Sequence, residues 1–365
     1  MDIAVAVLTR ARRAADAFHD LTGAAVDPVE LLTGRAALLG LSPPGRISAG
    51  GATRLMRSAD GWCALTLSRP DDIDAIPALV ESDSVGDDSW PAVEQWVADN
   101  ASADVTARAR LLGLPVAALG ETGAAPPRIT KLGTAITPRT PRELLVADLS
   151  SMWAGPLCGQ LLARAGATVV KVETPARPDG TRAGPPAFFD WMNSGKLSYA
   201  VDLDEPNSLK RLLEIADVVI ESSRPAALSH RGLGPMPGDG RVWLRITGHG
   251  TEGQRANWVA FGDDAAVSGD LVSGDDSGPQ FCGDAIADPL TGLHAAQQVA
   301  ESLGRGGGEL IELSMAAVAA TYAADDRSAE TRVTATPGPS PRASELGAGN
   351  ALVERLLAEK RLASC

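Results

Sequence analysis

The sequence predicts an α/β protein, with a Rossmann-like parallel sheet that carries helices on both faces and a smaller α/β domain beside it. The main evidence is a series of short, continuously apolar segments separated by helical stretches. Four of them are LLVADLS, ATVVKVE, ADVVIES and RVWLRIT, which begin at Leu144, Ala167, Ala216 and Arg241. Strands that are buried on both faces and alternate with helices form parallel sheets with right-handed crossovers. The length of 365 residues is sufficient for two domains.

Residues 1–45 form the first predicted segment, which is rich in Ala and Leu at apolar spacings of three and four. This spacing predicts two helices. Gly23 marks the break between them, and Asp27-Pro28 is typical of an N-cap followed by proline at the first helical position. A Pro- and Gly-rich loop, LSPPGRISAGG, then ends at Gly50-Gly51.

Residues 46–130 form the predicted small α/β domain. LMRSADGWCALTLS alternates around a turn at Asp60-Gly61, which predicts a β-hairpin. The remaining elements are two helices and a short buried strand, predicted at 91–99, 103–112 and 114–119. The composition from Gly120 to Pro141 is that of a linker, and we place the linker between the domains at 131–143.

Residues 144–325 form the predicted large domain. Beyond its first strands it continues with a helix, a strand and a helix, predicted at 288–302, 309–314 and 315–324. The polar, Pro- and Ser-rich segment 326–346 predicts a second linker. Residues 347–365 predict an amphipathic C-terminal helix.

The composition excludes several classes of partner. The formal net charge is −13 and the isoelectric point is near 4.8, whereas nucleic acids and anionic membranes bind cationic surfaces. A phosphate-bearing small ligand is not excluded, since a few arginines and helix N-termini can hold phosphates locally. The four cysteines have neither CxxC nor paired spacing, so we expect no metal site and no disulfide framework. The first apolar run precedes its arginines, which is the wrong order for a signal peptide, and no stretch is long enough to span a bilayer; we therefore expect a cytoplasmic protein.

The segment VADLSSMWAGPLCGQLL predicts a strand that ends near Ser150 and a small-residue turn, Ala154-Gly155-Pro156, that opens a helix. Such a turn places backbone N–H groups and the positive end of a helix at the carboxyl edge of a parallel sheet, where nucleotide phosphates bind. The alternative is an ordinary turn in which Pro156 only occupies the first helical position. The turn lacks GxGxxG and does not support a dinucleotide fold.

The segment FCGDAIADPLTGLHAA carries the best candidate nucleophile, Asp288. Asp288-Pro289 is typical of an N-cap and first helical position, so helix capping is the alternative role. The two roles are compatible, because a helix N-terminus keeps a carboxylate ionised, as a nucleophile must be. Gly292, one turn later, allows another backbone or a ligand to approach closely.

Five sequence blocks of the large domain resemble one known family. In chain order they are ADLSSMWAGP, LLARAGATVVKVETP, NSGKLSYAVDL, ADVVIESSRPAAL and GDAIADPLTGLHAA. Together they are similar to the family III CoA-transferases, the CaiB/BaiF family, which also includes α-methylacyl-CoA racemases. SAGGATRLMRSADGW and ARLLGLPVAALGE are similar to the family's small domain. That domain follows the large one in the family, so the resemblance implies a permutation to the N-terminus here.

The resemblance implies an enzyme that moves coenzyme A from an acyl-CoA to a free carboxylic acid. In the family an aspartate attacks the acyl-CoA thioester, which gives an acyl–aspartyl anhydride and then an aspartyl-CoA thioester; the matching residue here is Asp288. Gly50 and Gly51 match the family's glycine loop, whose N–H groups we expect to face a developing oxyanion, with a merely flexible loop as the alternative. The resemblance further implies coenzyme A as the acyl-CoA substrate, no metal, and a homodimer.

The resemblance also assigns contacts to coenzyme A, although several of the family's usual residues are replaced here. The predicted set joins the turn of the first block to four basic residues: Met152, Trp153, Ala154, Gly155, Pro156, Arg182, Lys196, Arg224 and Arg231. Surface salt bridges are the alternative role of the basic residues. Trp153 stands where oxalate-type transferases have Gln, which indicates a bulkier apolar acyl group or an ordinary core residue.

Two alternatives to a transferase stay open. A racemase removes and returns an α-proton on opposite faces, so it needs two titrating groups with matched pKa values. Asp263 stands where the racemase branch has its histidine, and none of the four histidines falls in that context, so a transferase is favoured. The other alternative is a non-catalytic paralogue that binds CoA esters, and the retention of Asp288 argues against it.

Overall fold

The computed structural model describes residues 1–42, 45–82, 85–275, 277–323 and 330–363. Parts of four sequence predictions lie outside the described residues. They are Pro43-Pro44 of the first loop, Ala324 at the end of a helix, residues 326–329 of the second linker, and the last two residues of the C-terminal helix.

Two long helices at the N-terminus pack against the main core. The first elements are β1 (Asp2–Ala4), α1 (Val5–Thr22) and α2 (Pro28–Leu39). Gly23 ends α1 in a left-handed conformation, and the side chain of Asp27 caps α2, which confirms the predicted break and N-cap. Phe18 and Leu31 carry the apolar faces of the two helices into the core that also holds the central helices.

A three-stranded antiparallel sheet follows, in the order β2-β3-β4. Its elements are β2 (Thr53–Arg57), β3 (Trp62–Thr66), α3 (Pro70–Asp74), α4 (Ile76–Val80), α5 (Trp90–Asp99), α6 (Ser102–Leu111) and β4 (Val116–Ala118). The hairpin around Asp60-Gly61, the two helices and the strand are where the sequence places them. Leu65, Val97 and Val116 belong to the separate core of this unit.

A seven-stranded sheet forms the centre of the rest of the chain, in the order β5-β13-β10-β9-β6-β7-β8. Its strands are β5 (Arg128–Lys131), β6 (Leu145–Asp148), β7 (Thr168–Glu173), β8 (Leu197–Ala200), β9 (Val218–Glu221), β10 (Val242–Thr247) and β13 (Glu309–Ser314). All neighbours are parallel except β5, which pairs antiparallel with β13.

Helices cover both faces of this sheet. They are α7 (Ala154–Arg164), α8 (Pro186–Asn193), α9 (Asn207–Ile215), α10 (Pro225–Ser229), α11 (Gly262–Ser268), α12 (Ala287–Gly304), α13 (Met315–Ala323) and α14 (Asn350–Ala363), with 3₁₀ turns at Gly180–Ala183 and Gly253–Asn257. Leu157 of α7 and Leu290 of α12 pack on one face, and Leu212 of α9 and Val353 of α14 pack on the other. The predicted α/β class, with helices on both faces, is confirmed.

Three short strand pairings are absent from the sequence analysis. The segment from Gly120 to Pro141, which has the composition of a linker, contains β5, an edge strand of the main sheet. The second predicted linker contains β14 (Glu330–Arg332), which pairs antiparallel with β1. The third pairing is a hairpin of β11 (Val272–Asp275) and β12 (Gly278–Phe281) between α11 and α12.

Candidate active site

The turn between β6 and α7 lies at the carboxyl edge of the central sheet, as predicted. Met152 has a left-handed backbone (φ 72°), which is uncommon for a residue other than glycine and marks a constrained turn. Trp153 precedes the first residue of α7 and is buried, whereas Met152 is 40% exposed. The turn therefore presents the N-terminus of α7 above the sheet, the position at which parallel α/β sheets bind ligands.

Asp288 lies where the N-termini of α7 and α12 meet. The backbone N–H of Ala154 lies close enough to its carboxylate to lower its pKa, so the two predicted motifs come together. Gly292 makes this approach possible, because a methyl group there would lie 2.7 Å from the carbonyl oxygen of Ala154. Asp288 is not the N-cap that the sequence analysis expected: α12 begins at Ala287 after Ile286, and Asp288 is its second residue.

Two more aspartates lie beside Asp288. Asp263, near the start of α11, accepts a hydrogen bond from Ala285 N at 3.0 Å, and Asp284 pairs with Arg35 of α2 at 2.5 Å. A methyl group at Gly262 would collide with Oδ2 of Asp288, so the N-terminus of α11 also abuts this carboxylate. Three carboxylates and one guanidinium therefore form the candidate active site.

The titration of these carboxylates is coupled. Burial raises the pKa of Asp288 to about 7, and the charge of Asp263 adds to the rise, while Arg35 and the N–H of Ala154 oppose it. Burial, assisted by the charge of Asp284, also raises the pKa of Asp263 to about 7. The expectation that the helix N-terminus keeps Asp288 ionised is corrected, because burial outweighs the helix and leaves Asp288 about half ionised at pH 7.

Arg35 links the carboxylates to the aromatic and glycine residues of the site. Its guanidinium carbon lies 5.6 Å from the ring centroids of both Trp153 and Phe188. A methyl group at Gly50 would lie 3.3 Å from Nη2 of Arg35, so the glycine loop reaches the site at Gly50. Gly51 has a left-handed backbone (φ 80°) and no atom of the described residues near its missing side chain. Trp153 contacts the edge of Phe188 and belongs to the core.

The four predicted basic contacts are not brought together around Asp288. Lys196 is buried and donates to Asp148 at 2.8 Å and to the carbonyl of Pro156 at 2.7 Å. Arg182 pairs with Glu173 at 2.6 Å. The other two, Arg224 and Arg231, are exposed and lie beside α10, which follows β9 at the carboxyl edge of the sheet.

The sequence analysis did not identify Arg35 and Asp284 and considered Asp263 only as a replaced histidine. The sequence signal for Asp284 is that it lies four residues before Asp288, and the signal for Asp263 is that it lies in the first turn of a helix. Arg35 carried no such signal, because a single arginine in a helix is ordinary. Within the described ranges no group of His, Cys, Asp and Glu is arranged to hold a metal, and no helix is long and apolar enough to cross a membrane.

The fold and the site define an α/β protein with a carboxylate held between helix N-termini at the edge of a parallel sheet. The profile of CoA-transferase family III matches residues 142–351, and the chain belongs to that family. This confirms the resemblance drawn from the five sequence blocks.

Two named CoA-transferases are similar to this chain over part of their length. Succinate--glutarate CoA-transferase of Agrobacterium fabrum is 33% identical over 183 residues, which are 43% of this chain and 45% of the relative. Human succinyl-CoA:glutarate CoA-transferase is 36% identical over 169 residues, 41% of this chain and 38% of the relative. The chain thus spans less than half the length of these relatives. A solved CaiB/BaiF family protein from Brucella suis matches 52% of this chain and 56% of its own, at 28% identity and a TM-score of 0.46.

Proposed function

We propose that this protein is a CoA-transferase in which Asp288 receives the acyl group and then coenzyme A. The observation that carries the proposal is that the carboxylate of Asp288 lies where the N-termini of α7 and α12 meet, beside the backbone N–H of Ala154. Membership of CoA-transferase family III and the CoA-transferase relatives support the same reaction class. Both named relatives reported above are CoA-transferases.

In the proposed reaction an oxygen of Asp288 attacks the carbonyl carbon of the acyl-CoA. The tetrahedral intermediate collapses, the C–S bond breaks, and the CoA thiolate leaves an acyl–aspartyl anhydride. The thiolate then attacks the aspartyl carbonyl, which releases the first acid and leaves an aspartyl-CoA thioester. The acceptor carboxylate repeats these two steps in reverse and departs as the new acyl-CoA, so no net proton is consumed. N–H groups of the glycine loop at Gly50 and the charge of Arg35 would stabilise the oxyanions.

The contacts to coenzyme A stay proposals. The turn from Met152 to Pro156 is positioned to meet the thioester end, because it borders Asp288. Arg224 and Arg231 are exposed and remain the basic candidates for the phosphates, whereas Lys196 and Arg182 are bonded to internal carboxylates. The homodimer, the permutation, and the cytoplasmic location likewise remain proposals drawn from the sequence.

The test is to trap the aspartyl intermediate. Incubation of the protein with an acyl-CoA and then hydroxylamine should convert Asp288 to a hydroxamate, which peptide mass spectrometry detects. Asp288→Asn should abolish both the label and CoA transfer. Asp20→Asn, on the exposed face of α1, is the matched control and should retain both. Wild-type transfer rates in Asp288→Asn would overturn the assignment, and an unlabelled active protein would exclude the covalent route.

One observation favours the racemase as a second candidate. Asp263 and Asp288 are two carboxylates beside each other, and burial raises the pKa of both to about 7, so two titrating groups are available for proton transfer. Incubation of a chiral 2-methylacyl-CoA in deuterated water separates the candidates. Incorporation of deuterium at the α-carbon without CoA exchange would establish the racemase. Transfer of CoA without incorporation would establish the transferase. If the protein catalyses neither reaction, the paralogue that only binds CoA esters is the remaining candidate.

A further inference from the structure

A cleft of about 300 Å³ lies at the carboxyl ends of β10 and β13. Its walls come from the residues that follow these two strands and from the segment before β5. Of the described residues that line it, none belongs to the cluster of Asp263, Asp284, Asp288 and Arg35. In open α/β sheets ligands bind outside the carboxyl ends of the strands, so the cleft has the position of a binding site while lying apart from the candidate active site.

The lining of the cleft is divided into an apolar and a polar part. The apolar part consists of Ala125, Pro126, Pro127, Leu313, Ala317 and Val318. The polar part includes His249, Arg255 and the buried Thr122. Small-molecule sites typically combine a mostly apolar wall with a few convergent polar groups, and this lining fits a ligand that has an apolar body and one polar end.

The two arginines that line the cleft differ in their partners, although two glutamates, Glu252 and Glu312, line it as well. Arg128 is neutralised by Glu252 at 3.0 Å and Glu312 at 3.7 Å. Arg255 forms no ion pair with a carboxylate in the described part of the chain. Its guanidinium instead lies 5.4 Å from the ring centroid of Trp258 and donates weakly to a hydroxyl oxygen at 3.4 Å. Arg255 is therefore held in place by neutral partners, and its positive charge is left for an anionic ligand.

His249 adds an unsatisfied polar group to the same lining. Its side chain is 3% exposed and contacts the edge of Trp258, and neither ring nitrogen has a hydrogen-bond partner among the described residues. Burial and the charges of Arg110 and Arg255 lower the pKa of His249 to about 3, so the imidazole is neutral at pH 7 and carries one N–H donor. Both nitrogens are themselves without exposed surface, so His249 forms a neutral wall beside Arg255 and does not donate into the cleft.

We propose that the cleft binds a small organic acid with an apolar body, whose carboxylate pairs with Arg255. The apolar body would lie against the wall that contains Pro126 and Val318. This site is separate from Asp288, and the proposal does not rest on the proposed function.

The test compares butyrate with butyramide, its neutral analogue of the same shape, by calorimetric titration of the full chain. Wild-type protein should bind butyrate more tightly than butyramide. Arg255→Met should weaken butyrate binding by about tenfold or more and leave butyramide unchanged, because it removes a charged hydrogen bond. His249→Phe, which retains the aromatic edge on Trp258, should leave butyrate binding unchanged, since the ring nitrogens of His249 have no exposed surface. Arg305→Met, at the opposite edge of the sheet, is the matched control and should bind both compounds as wild type does.

Two further variants keep the test decisive. Asp288→Asn should bind butyrate as wild type does, since Asp288 does not line the cleft. Ala125→Trp, at the exposed rim, should weaken the binding of both compounds even if Arg255→Met fails to fold. The proposal is overturned if wild-type protein does not bind butyrate at millimolar concentration, if butyrate and butyramide bind equally, or if Asp288→Asn alone loses binding.

Discussion

Replacing Asp263 with Asn changes the charge beside the proposed nucleophile and almost nothing else. The side chain keeps its shape, and its Oδ1 can still accept the hydrogen bond from Ala285 N. A carboxylate nucleophile reacts only when ionised, so the rate of anhydride formation follows the ionised fraction of Asp288. The pH at which the rate reaches half its maximum therefore reports the pKa of Asp288 in the presence of its neighbours.

The structure sets the direction of the expected shift. The pKa of Asp288 is raised from 3.8 to about 7, with burial as the largest cause and the charge of Asp263 as the second. Asp263→Asn removes the second of these causes and should therefore lower the pKa of Asp288. At pH 7, where Asp263 is itself about half ionised, the ionised fraction of Asp288 then rises from about a half towards one, which is at most about twofold in rate, whereas the rate at pH 9 stays unchanged.

The assay is the single-turnover transfer of CoA from a thioester between pH 5 and 9. Asp20→Asn is the charge-matched control and should give the wild-type profile. A midpoint that stays at its wild-type value or moves to higher pH would refute the electrostatic argument. A loss of rate at pH 9 by a hundredfold or more would show instead that Asp263 itself handles a proton, as the racemase reading requires.

Three further predictions concern packing and buried charge, and urea unfolding measures each of them. Gly292→Ala should lower the free energy of unfolding by about 1–3 kcal/mol, because its methyl group would lie 2.7 Å from a carbonyl oxygen of α7; Gly304→Ala, with open space around it, should not. Lys196→Met should lower the free energy of unfolding by about 3–5 kcal/mol, because it leaves the buried Asp148 without its ion-pair partner. The double variant with Asp148→Asn should recover most of this loss. Equal stability of the single and double variants would contradict the ion-pair argument. Burial raises the pKa of Asp264 to about 8, so the protonated side chain stabilises the fold fully below about pH 4, and this contribution is lost as the pH rises to 8. The stability of Asp264→Asn should therefore increase relative to that of wild type across this pH range. Parallel stability profiles of the two proteins would refute this prediction.

The central sheet could be predicted because its strands are buried on both faces and therefore appear as continuous apolar runs. The edge strand β5 could not, because a short strand among prolines has no periodicity of its own. Its residues are held by backbone pairing with β13, where Ile129 lies opposite Ile311. Pairing partners so far apart in sequence leave no local pattern, and the same holds for β14 against β1.

The positions of Asp288, the proposed nucleophile, and of the turn beside it could be predicted because each has a local signature, Asp-Pro at one helix start and Ala-Gly-Pro at another. Their meeting depends on Gly292, which the sequence analysis identified as a point of close approach. Arg35 could not be assigned, since its partner Asp284 lies about 250 residues further along the chain and only the packing of α2 brings them together. The raised pKa of Asp288 could not be predicted from the sequence either, because the burial that causes it exists only in the assembled site.

The buried lysines explain why the turn before α7 can hold its left-handed backbone. Lys171 donates to Asp179 at 2.8 Å, and Asp179 in turn accepts the N–H of Met152 at 3.2 Å. Lys196 donates to Asp148 below the turn and to a carbonyl oxygen in the first turn of α7. If Lys196 were to reach a phosphate of coenzyme A, it would leave Asp148 charged and unpaired in the interior, which costs several kcal/mol. The two lysines therefore act as supports that keep the N-terminus of α7 in place beside the carboxylate of Asp288 in α12.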